Sequence, residues 1–253
     1  MTGTSPCADE TSRLRAGLAA RELELQRLHA SFLANISHEL RTPLVSICGY
    51  AEMLTEGDAG PLEPAAGKAA EAIERNAHRL RDLVLDLLIL SDLEGGAPGL
   101  RRAIDLSGLV AEETDRLRRT PAAARHHFEL DLADGCPAWV DADRLRRAAH
   151  HVLSNAVVHT PPGTLVRVGT TPDGAQAVLT VTDEGPGIPQ EVRARCAEGF
   201  ARASDADTQV RPGAGVGLAL AVRVACEHGG ALTIGDVPGG GARVRVRLPA
   251  SRP

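Results

Sequence analysis

The stretch SFLANISHELRTPL (residues 31–44) combines a histidine, a carboxylate, an arginine and a proline within one helical pattern. Apolar residues on both sides of it recur at spacings of three, four and seven, which predicts a long helix over residues 12–56. On a helix that turns about 100° per residue, His38 lies about 200° from Ile36 and Leu40, which belong to the predicted buried stripe. His38 is therefore expected to face solvent.

A proline changes the backbone beside this histidine. Pro43 has no N–H group, so the bond to the carbonyl of Glu39 is missing and the helix should bend there. Thr42 lies one turn beyond His38 on the same face. An exposed imidazole has an ordinary pKa of about 6.5, its neutral form is a nucleophile, and an adjacent carboxylate can accept a ring proton. From these residues alone, a solvated histidine beside a chance bend stays the alternative.

A second amphipathic helix is expected after the turn residues EGDAGPLEP (56–64), from about Glu63 to Leu93. EGGAPG (94–99) ends it and is predicted to be an interdomain linker. A lone hairpin leaves its apolar stripe half covered, and pairing with a second copy into a four-helix bundle covers it, which predicts a homodimer. The predicted buried stripes contain Leu40, Leu44, Ile47, Ala51 and Leu54 on the first helix, and Ile73, Leu80, Leu83, Val84, Leu87, Leu88 and Leu90 on the second.

The pattern changes after Leu100 to mixed helices and strands, which predicts an α+β fold with a helical layer on a mostly antiparallel sheet. The predicted domains are a linker helix over 1–30, the hairpin over 31–94 and this α+β region over 100–250. Helices are expected near 106–119, 141–160 (with Asp141 or Asp143 at the N-cap) and 214–228, and strands at 127–133, 164–171, 175–183, 231–237 and 242–249.

Three segments of the α+β region carry chemistry. HHVLSNAVVHT (150–160) places Asn155, whose amide oxygen suits Mg²⁺, on a helix. DEGPGIP (183–189) sets a carboxylate before two glycines at the end of a strand. RPGAGVGLALA (211–221) is a glycine-rich loop that opens a helix, where free N–H groups favour phosphate. Each segment has a plain structural interpretation when it is taken alone, and the P-loop pattern G-x-x-x-x-G-K followed by Ser or Thr is absent.

Taken in this order, the segments resemble those of sensor histidine kinases of two-component systems. SFLANISHELRTPL is similar to the H box of that family, whose histidine receives phosphate from ATP, and the hairpin resembles its dimerisation and phosphotransfer domain (HisKA). The three later segments look like the N box and the two glycine boxes of the GHKL-type ATP-binding domain. The resemblance covers about residues 20–249. It implies a helical hairpin that forms a dimeric four-helix bundle, followed by an α/β-sandwich ATP-binding domain.

The resemblance implies an ATP-dependent protein histidine kinase. Such an enzyme would autophosphorylate His38 and transfer the phosphoryl group to an aspartate of a response regulator receiver domain. Glu39 is implied as the assisting carboxylate, and Thr42 as the residue that orients water when the regulator is dephosphorylated. Asn155 is implied as the Mg²⁺ ligand and Asp183 as the acceptor for the adenine amino group. The other ATP-binding residues implied by the resemblance are His159, Gly185, Gly187, Phe200, Arg202, Gly213, Gly215, Gly217 and Leu218.

The N box departs from the family pattern. His151 stands where the family usually has a second asparagine, and Val158 where it commonly has a lysine or arginine. His159 replaces the usual aromatic residue and could still stack on adenine. Val158 and His151 favour the alternative, a dimeric scaffold or phosphatase of weak catalytic activity that acts by binding its partner. A GHKL Ser/Thr kinase of the anti-sigma type is disfavoured by the H box.

Composition and charge limit the partners and the cellular location that the sequence predicts. The chain has 253 residues and a net charge of −5, which gives no reason to expect nucleic acid or an anionic membrane as a partner. Its five cysteines are scattered, and neither a signal peptide nor a transmembrane run is visible, so we expect a cytoplasmic protein. About 30 residues precede the H box, too few for a sensor domain. A separate input protein, a larger system and a fragment are the three alternatives.

Overall fold

The first part of the fold is a pair of helices. The computed structural model describes residues 40, 42–94, 99–191, 193 and 216–252, and the chain divides into two compact units, Met1–Ala97 and Pro98–Pro253. In the first unit, helix α1 (42–56) is followed by a turn and by helix α2 (Pro64–Glu94). A hydrogen bond of 3.0 Å between Glu52 Oε1 and His78 Nε2 joins the two helices.

Only part of each predicted apolar stripe is buried in the single chain. Leu44, Cys48 and Ala51 are buried on α1, and Ala70, Ala77, Val84 and Leu90 are buried on α2. Five large side chains of the predicted stripes are exposed in the single chain, as expected for a lone hairpin whose stripe is half covered: Leu40, Ile47, Ile73, Leu80 and Leu83. The physical reason is that one helix covers only one side of its neighbour, whereas each stripe is wider than that side.

The second unit is built on a five-stranded sheet. Its strands are β2 (His127–Leu132), β4 (Leu165–Asp173), β5 (Gln176–Asp183), β6 (Ala231–Asp236) and β7 (Ala242–Pro249), in the order β2-β4-β5-β7-β6. The β2–β4 pair is parallel and the other pairs are antiparallel. A separate antiparallel pair joins β1 (Arg101–Asp105) to β3 (Pro137–Asp141). Strands β1 and β3 were not predicted, because RRAID lacks alternation and PAWVD begins with proline.

Helices cover one face of this sheet. They are α3 (Leu106–Arg118), α4 (Ala142–Val158) and α5 (Val216–Glu227), and they contact β4, β5 and β7. On β7, Val244, Val246 and Leu248 are buried and alternate with arginines, as expected for a sheet with one covered face. Asp141 is the N-cap of α4 and accepts hydrogen bonds from two backbone N–H groups. The described residues of the second unit form an α/β sandwich. In the described part of the whole chain, no helix is long and apolar enough to cross a membrane.

Candidate functional site

A buried carboxylate at the end of β5 lies at the centre of the candidate site. Asp183 is 6% exposed, and its Oδ1 accepts hydrogen bonds from the N–H groups of Gly185 (3.0 Å) and Ala242 (3.3 Å). Both bonds that it makes with described residues use Oδ1. The second oxygen, Oδ2, is therefore left to accept a hydrogen bond from a bound molecule.

Glycines let the backbone approach this carboxylate. A Cβ atom on Gly185 would lie 2.9 Å from Asp183 Oδ1 and 3.2 Å from Thr160 Cβ, closer than side chains pack. A Cβ atom on Gly241 would overlap the carbonyl of Asp183. Gly187 has φ +80°, a conformation that favours glycine. Gly241 and Thr160 were not predicted as site residues, although the run of three glycines before β7 is a signal in the sequence for Gly241.

The C-terminal end of α4 lies beside the Asp183 loop. Thr160 donates a hydrogen bond to the carbonyl of Ala156 (2.6 Å), while its methyl group faces Gly185. His159 is exposed and caps α4 through its N–H bond to the carbonyl of Asn155 (3.2 Å). The Asn155 side chain is half-buried, and within the described ranges its amide makes no hydrogen bond.

The beginning of α5 is packed against the middle of α4. A Cβ atom on Gly217 would lie 2.7 Å from His151 Cγ and would overlap the imidazole ring. Gly217 therefore permits the helices to approach at the point where the glycine-rich segment becomes α5. Leu218 is buried in the core. Four predicted site residues thus belong to the same unit. Asp183 ends β5 and Gly185 follows it, while Asn155 lies in the last turn of α4 and Gly217 in the first turn of α5.

Six residues predicted for the site lie outside the described residues: His38, Glu39, Phe200, Arg202, Gly213 and Gly215. Thr42 is described, lies on α1 and is exposed. Its carbonyl accepts a 3.4 Å hydrogen bond from Ser46 Oγ. The α1 end of the hairpin therefore presents Thr42 to solvent.

Two family models match the chain, one in each unit. Residues 28–96 match the His Kinase A (phospho-acceptor) domain, and residues 140–252 match the histidine kinase-, DNA gyrase B- and HSP90-like ATPase. The chain belongs to the histidine kinase family. The predicted family resemblance is therefore confirmed, as is the predicted order of a helical region followed by an α/β-sandwich ATPase domain.

Individual members of this family are similar to the chain over most of its length. It is 34% identical to the sensor histidine kinase TmoS of Ectopseudomonas mendocina, over 93% of this chain and 24% of TmoS. It is 36% identical to the histidine-protein kinase/phosphatase MprB of Mycobacterium sp. (strain KMS), over 96% of this chain and 48% of MprB. The chain thus spans about a quarter to a half of these relatives. The crystal structure of full-length ShkA with AMPPNP has a TM-score of 0.66 and 28% identity, over 88% of this chain and 46% of ShkA.

A charged network joins α4 to α3. Glu113 of α3 is 2% exposed, and its carboxylate bonds to His150 Nδ1 and Arg116 Nη1, each at 3.0 Å. Burial alone would raise the pKa of Glu113, but the hydrogen bond with His150 and the nearby Arg116 and Arg146 hold that pKa below its usual value. The His150 ring meets the His151 ring edge-on, with centroids 5.8 Å apart. The network therefore connects α3 to the side chain that packs on Gly217.

Proposed function

We propose that this protein is an ATP-dependent protein histidine kinase that autophosphorylates His38 and passes the phosphoryl group to an aspartate of a response regulator. The observation that carries the proposal is the carboxylate of Asp183, buried at the end of β5 with Oδ2 left to accept from a ligand. The exocyclic amino group of adenine is a donor that fits this acceptor. The match of residues 28–96 to a phospho-acceptor domain supplies the other half of the reaction.

Asn155 would hold Mg²⁺ together with the nucleotide. No group of three His, Cys, Asp or Glu side chains in the described part of the chain is arranged to hold a metal ion, so an all-protein cage is not available there. Mg²⁺ does not need one, because it usually binds one or two protein oxygens together with waters and substrate phosphates. The half-buried amide of Asn155 fits that role. When bound, Mg²⁺ neutralises charge on the phosphates.

For phosphoryl transfer the protein mainly has to position the reacting groups and to accept a proton from the attacking imidazole. One ring nitrogen of His38 would attack the γ-phosphorus of ATP, and the bond from that phosphorus to the β,γ-bridging oxygen would break, so that ADP leaves. Glu39 would take the proton of the other ring nitrogen, which leaves a neutral phosphoimidazole. A regulator carboxylate would then attack the same phosphorus, and the bond between phosphorus and the His38 nitrogen would break with its electron pair going to the ring. The proton held by Glu39 would return to the other ring nitrogen, which restores neutral imidazole. We further propose that the glycine-rich segment with Gly213, Gly215 and Gly217 covers the phosphates, and that Phe200 and Arg202 lie near it.

A homodimer follows from the exposed apolar side chains of the hairpin. Leu40, Ile47, Ile73, Leu80 and Leu83 are all at least 40% exposed in the single chain. Soluble monomers rarely leave such a set uncovered, whereas two hairpins can bury it in a four-helix bundle. We therefore propose that two copies associate through these faces.

Removal of phosphate from the regulator is a second candidate activity. Thr42 is exposed on α1, where its hydroxyl is available to a water molecule or a partner. One relative, MprB, is named a kinase/phosphatase. Val158, exposed at the end of α4, and His151 are the two departures that favour the weak scaffold or phosphatase.

The direct test is incubation of the purified protein with Mg²⁺ and γ-labelled ATP. We expect a label that is stable to alkali and labile to acid, present in the wild type and absent from His38→Gln. The matched control is His78→Gln, which removes another histidine of the same hairpin and should keep the label. If the wild type binds ATP and dephosphorylates a regulator but stays unlabelled, the kinase proposal is refuted and the phosphatase proposal is supported. Label that survives in His38→Gln would refute the assignment of the acceptor.

A further inference from the structure

Asp141 makes hydrogen bonds to three different parts of the ATPase unit. Its Oδ1 accepts from the N–H groups of Asp143 and Arg144, both at 3.1 Å, and so caps α4. Its Oδ2 accepts from the N–H group of Leu100 at 2.9 Å. Its own N–H group donates to His228 Nε2 at 2.9 Å. A helix cap requires only the first pair of bonds, so the other two need a separate explanation.

The bond from Leu100 ties down the chain just after the boundary between the two units, which lies at residues 97 and 98. The Leu100 side chain is 87% exposed, so this residue is held through its backbone and not by packing. Gly99 approaches Asp141 so closely that an added Cβ atom would lie 2.8 Å from Oδ2. Residues 99 and 100 are therefore in direct contact with the carboxylate of Asp141, the N-cap residue of α4.

The same cluster reaches the end of α5. Arg144, in the first turn of α4, donates to Glu227 Oε1 at 2.8 Å. Arg101 donates to the carbonyl of Glu227 at 2.7 Å, and so holds β1 to the last turn of α5. His228 donates through Nδ1 to the carbonyl of Val224 at 2.7 Å while its Nε2 accepts from Asp141. The start of β1, the N-terminus of α4 and the C-terminus of α5 thus share one set of hydrogen bonds.

We propose that Asp141 is a positioning residue for the nucleotide site, and that its bond to Leu100 couples the junction between the units to α4. The inference rests on the proposed function, because its effect is exerted at the other end of α4, where Asn155 and Thr160 lie. A shift of residues 99–101 moves the Asp141 carboxylate, and α4 follows because two N–H groups of its first turn, those of Asp143 and Arg144, are bonded to that carboxylate. Through the junction, the hairpin unit can then change the affinity of the ATPase unit for nucleotide.

Two substitutions remove the same bond from opposite sides. Asp141→Asn keeps an oxygen for the helix cap, since asparagine caps as well as aspartate, but turns an N–H group toward Leu100. Leu100→Pro removes the donor. Proline fits there because the Arg101 N–H bonds to the Gly99 carbonyl (3.0 Å) in a three-residue turn whose common form has φ near −75°.

Two further substitutions are matched controls. Leu100→Ala keeps the N–H group and loses only an exposed side chain. Asp105→Asn changes the N-cap of α3, where both carboxylate oxygens accept from the helix and neither binds the junction. Together the controls separate loss of the junction bond from general damage to a helix cap.

The experiment measures the ATP dissociation constant, the rate of His38 labelling and the melting temperature of the full chain. We expect Asp141→Asn and Leu100→Pro each to weaken ATP binding by about three- to tenfold, less than the full effect of one charge-assisted hydrogen bond. The double variant should be no weaker than either single variant, because both remove one bond. Leu100→Ala and Asp105→Asn should bind ATP as the wild type does.

Two results would overturn the coupling. One is a fall in melting temperature in Asp141→Asn and Leu100→Pro with wild-type ATP affinity, which would make the bond merely structural. The other is additive effects in the double variant. If the wild type binds no ATP, the proposed function fails, and amide hydrogen exchange still tests the coupling. In that case Leu100→Pro must accelerate exchange in residues 142–158 and Leu100→Ala must not, or the coupling is refuted as well.

Discussion

Replacing Asp183 by asparagine should weaken ATP binding and leave the fold intact. Oδ1 of Asp183 accepts from the N–H groups of Gly185 and Ala242, so the amide oxygen of asparagine must occupy that position. The amide nitrogen then occupies the position of Oδ2 and presents N–H groups where the adenine amino group would also present them. Two donors face each other, and the hydrogen bond to the base is lost.

The expected size follows from the burial of this carboxylate. A hydrogen bond to a charged group contributes about 1.5–3 kcal/mol, and Asp183 is 6% exposed, so water cannot readily replace the lost partner. That free energy corresponds to a rise in the ATP dissociation constant of about ten- to one-hundredfold. Because both backbone N–H groups keep an acceptor, the free energy of unfolding should change by about 1 kcal/mol or less.

The assay is calorimetric titration with ATP and with GTP, alongside urea unfolding. GTP carries a carbonyl oxygen where adenine has its amino group, so Asp183→Asn should bind GTP better relative to ATP than the wild type does. The matched control is Asp173→Asn, the same substitution at the exposed end of β4, which should change neither affinity. If Asp183→Asn binds ATP as tightly as the wild type, with the ratio of ATP to GTP affinity unchanged, then Asp183 does not recognise the base and the proposed site is wrong.

Three further predictions follow from other contacts. Gly217→Ala should lower the free energy of unfolding by about 1–3 kcal/mol, because its Cβ would overlap the His151 ring. Adding His151→Ala to that variant should restore most of the lost stability, as measured by urea unfolding. Because the Glu113 pKa is lowered on folding, its contribution to stability is present above the ordinary value of 4.5 and is lost as the pH falls below it. In Glu113→Gln, the urea concentration at the midpoint of unfolding should therefore fall less steeply than in the wild type as the pH is lowered from about 5 to about 3. Leu80→Asp with Leu83→Asp should convert the proposed dimer into a monomer, as measured by light scattering.

Each of these three has a result that contradicts its reasoning. For Gly217, it is an alanine variant that is as stable as the wild type, because α4 and α5 would then not be in close contact. For Glu113, it is an unchanged dependence of stability on pH in the glutamine variant. For the hairpin, it is a dimer that survives both aspartates, or a wild type that is already monomeric. Leu100→Asp, on an exposed side chain of the other unit, is the control and should leave the dimer intact.

Local patterns in the sequence were sufficient for most of the ATPase unit. Alternation predicted β4 and β5 as a hairpin with its turn at PDG (172–174). The observed turn is tighter, because Pro172 and Asp173 pair within β4 and only residues 174–175 join the strands. The aspartate before an amphipathic run predicted the start of α4, although Asp141 and Asp143 could not be distinguished without the observed backbone. The strands β1 and β3 were missed because each is stabilised by the other across the chain and neither has a periodic pattern of its own.

The hairpin shows a different limit. Periodicity identifies which side chains avoid water, but not which neighbour covers them. Leu44 and Leu80 belong to the same kind of stripe, yet Leu44 is buried within the single chain and Leu80 is not. The difference depends on whether a second helix lies on that side, which a repeat of three and four cannot specify.

The N box shows why a departure from a motif has to be judged with its spatial neighbour. From the sequence, His151 was interpreted together with Val158 as a departure that favours a weak scaffold or phosphatase, because the family usually has a second asparagine at that position. The ring lies against Gly217, and the space that it fills exists because that position of the second glycine box has no Cβ atom. The two boxes are therefore one packing contact, in which the larger side chain on α4 is accommodated by the glycine on α5. Accommodated in this way, His151 gives little support to the idea of a degenerate ATP site, and Val158 remains the stronger argument for it.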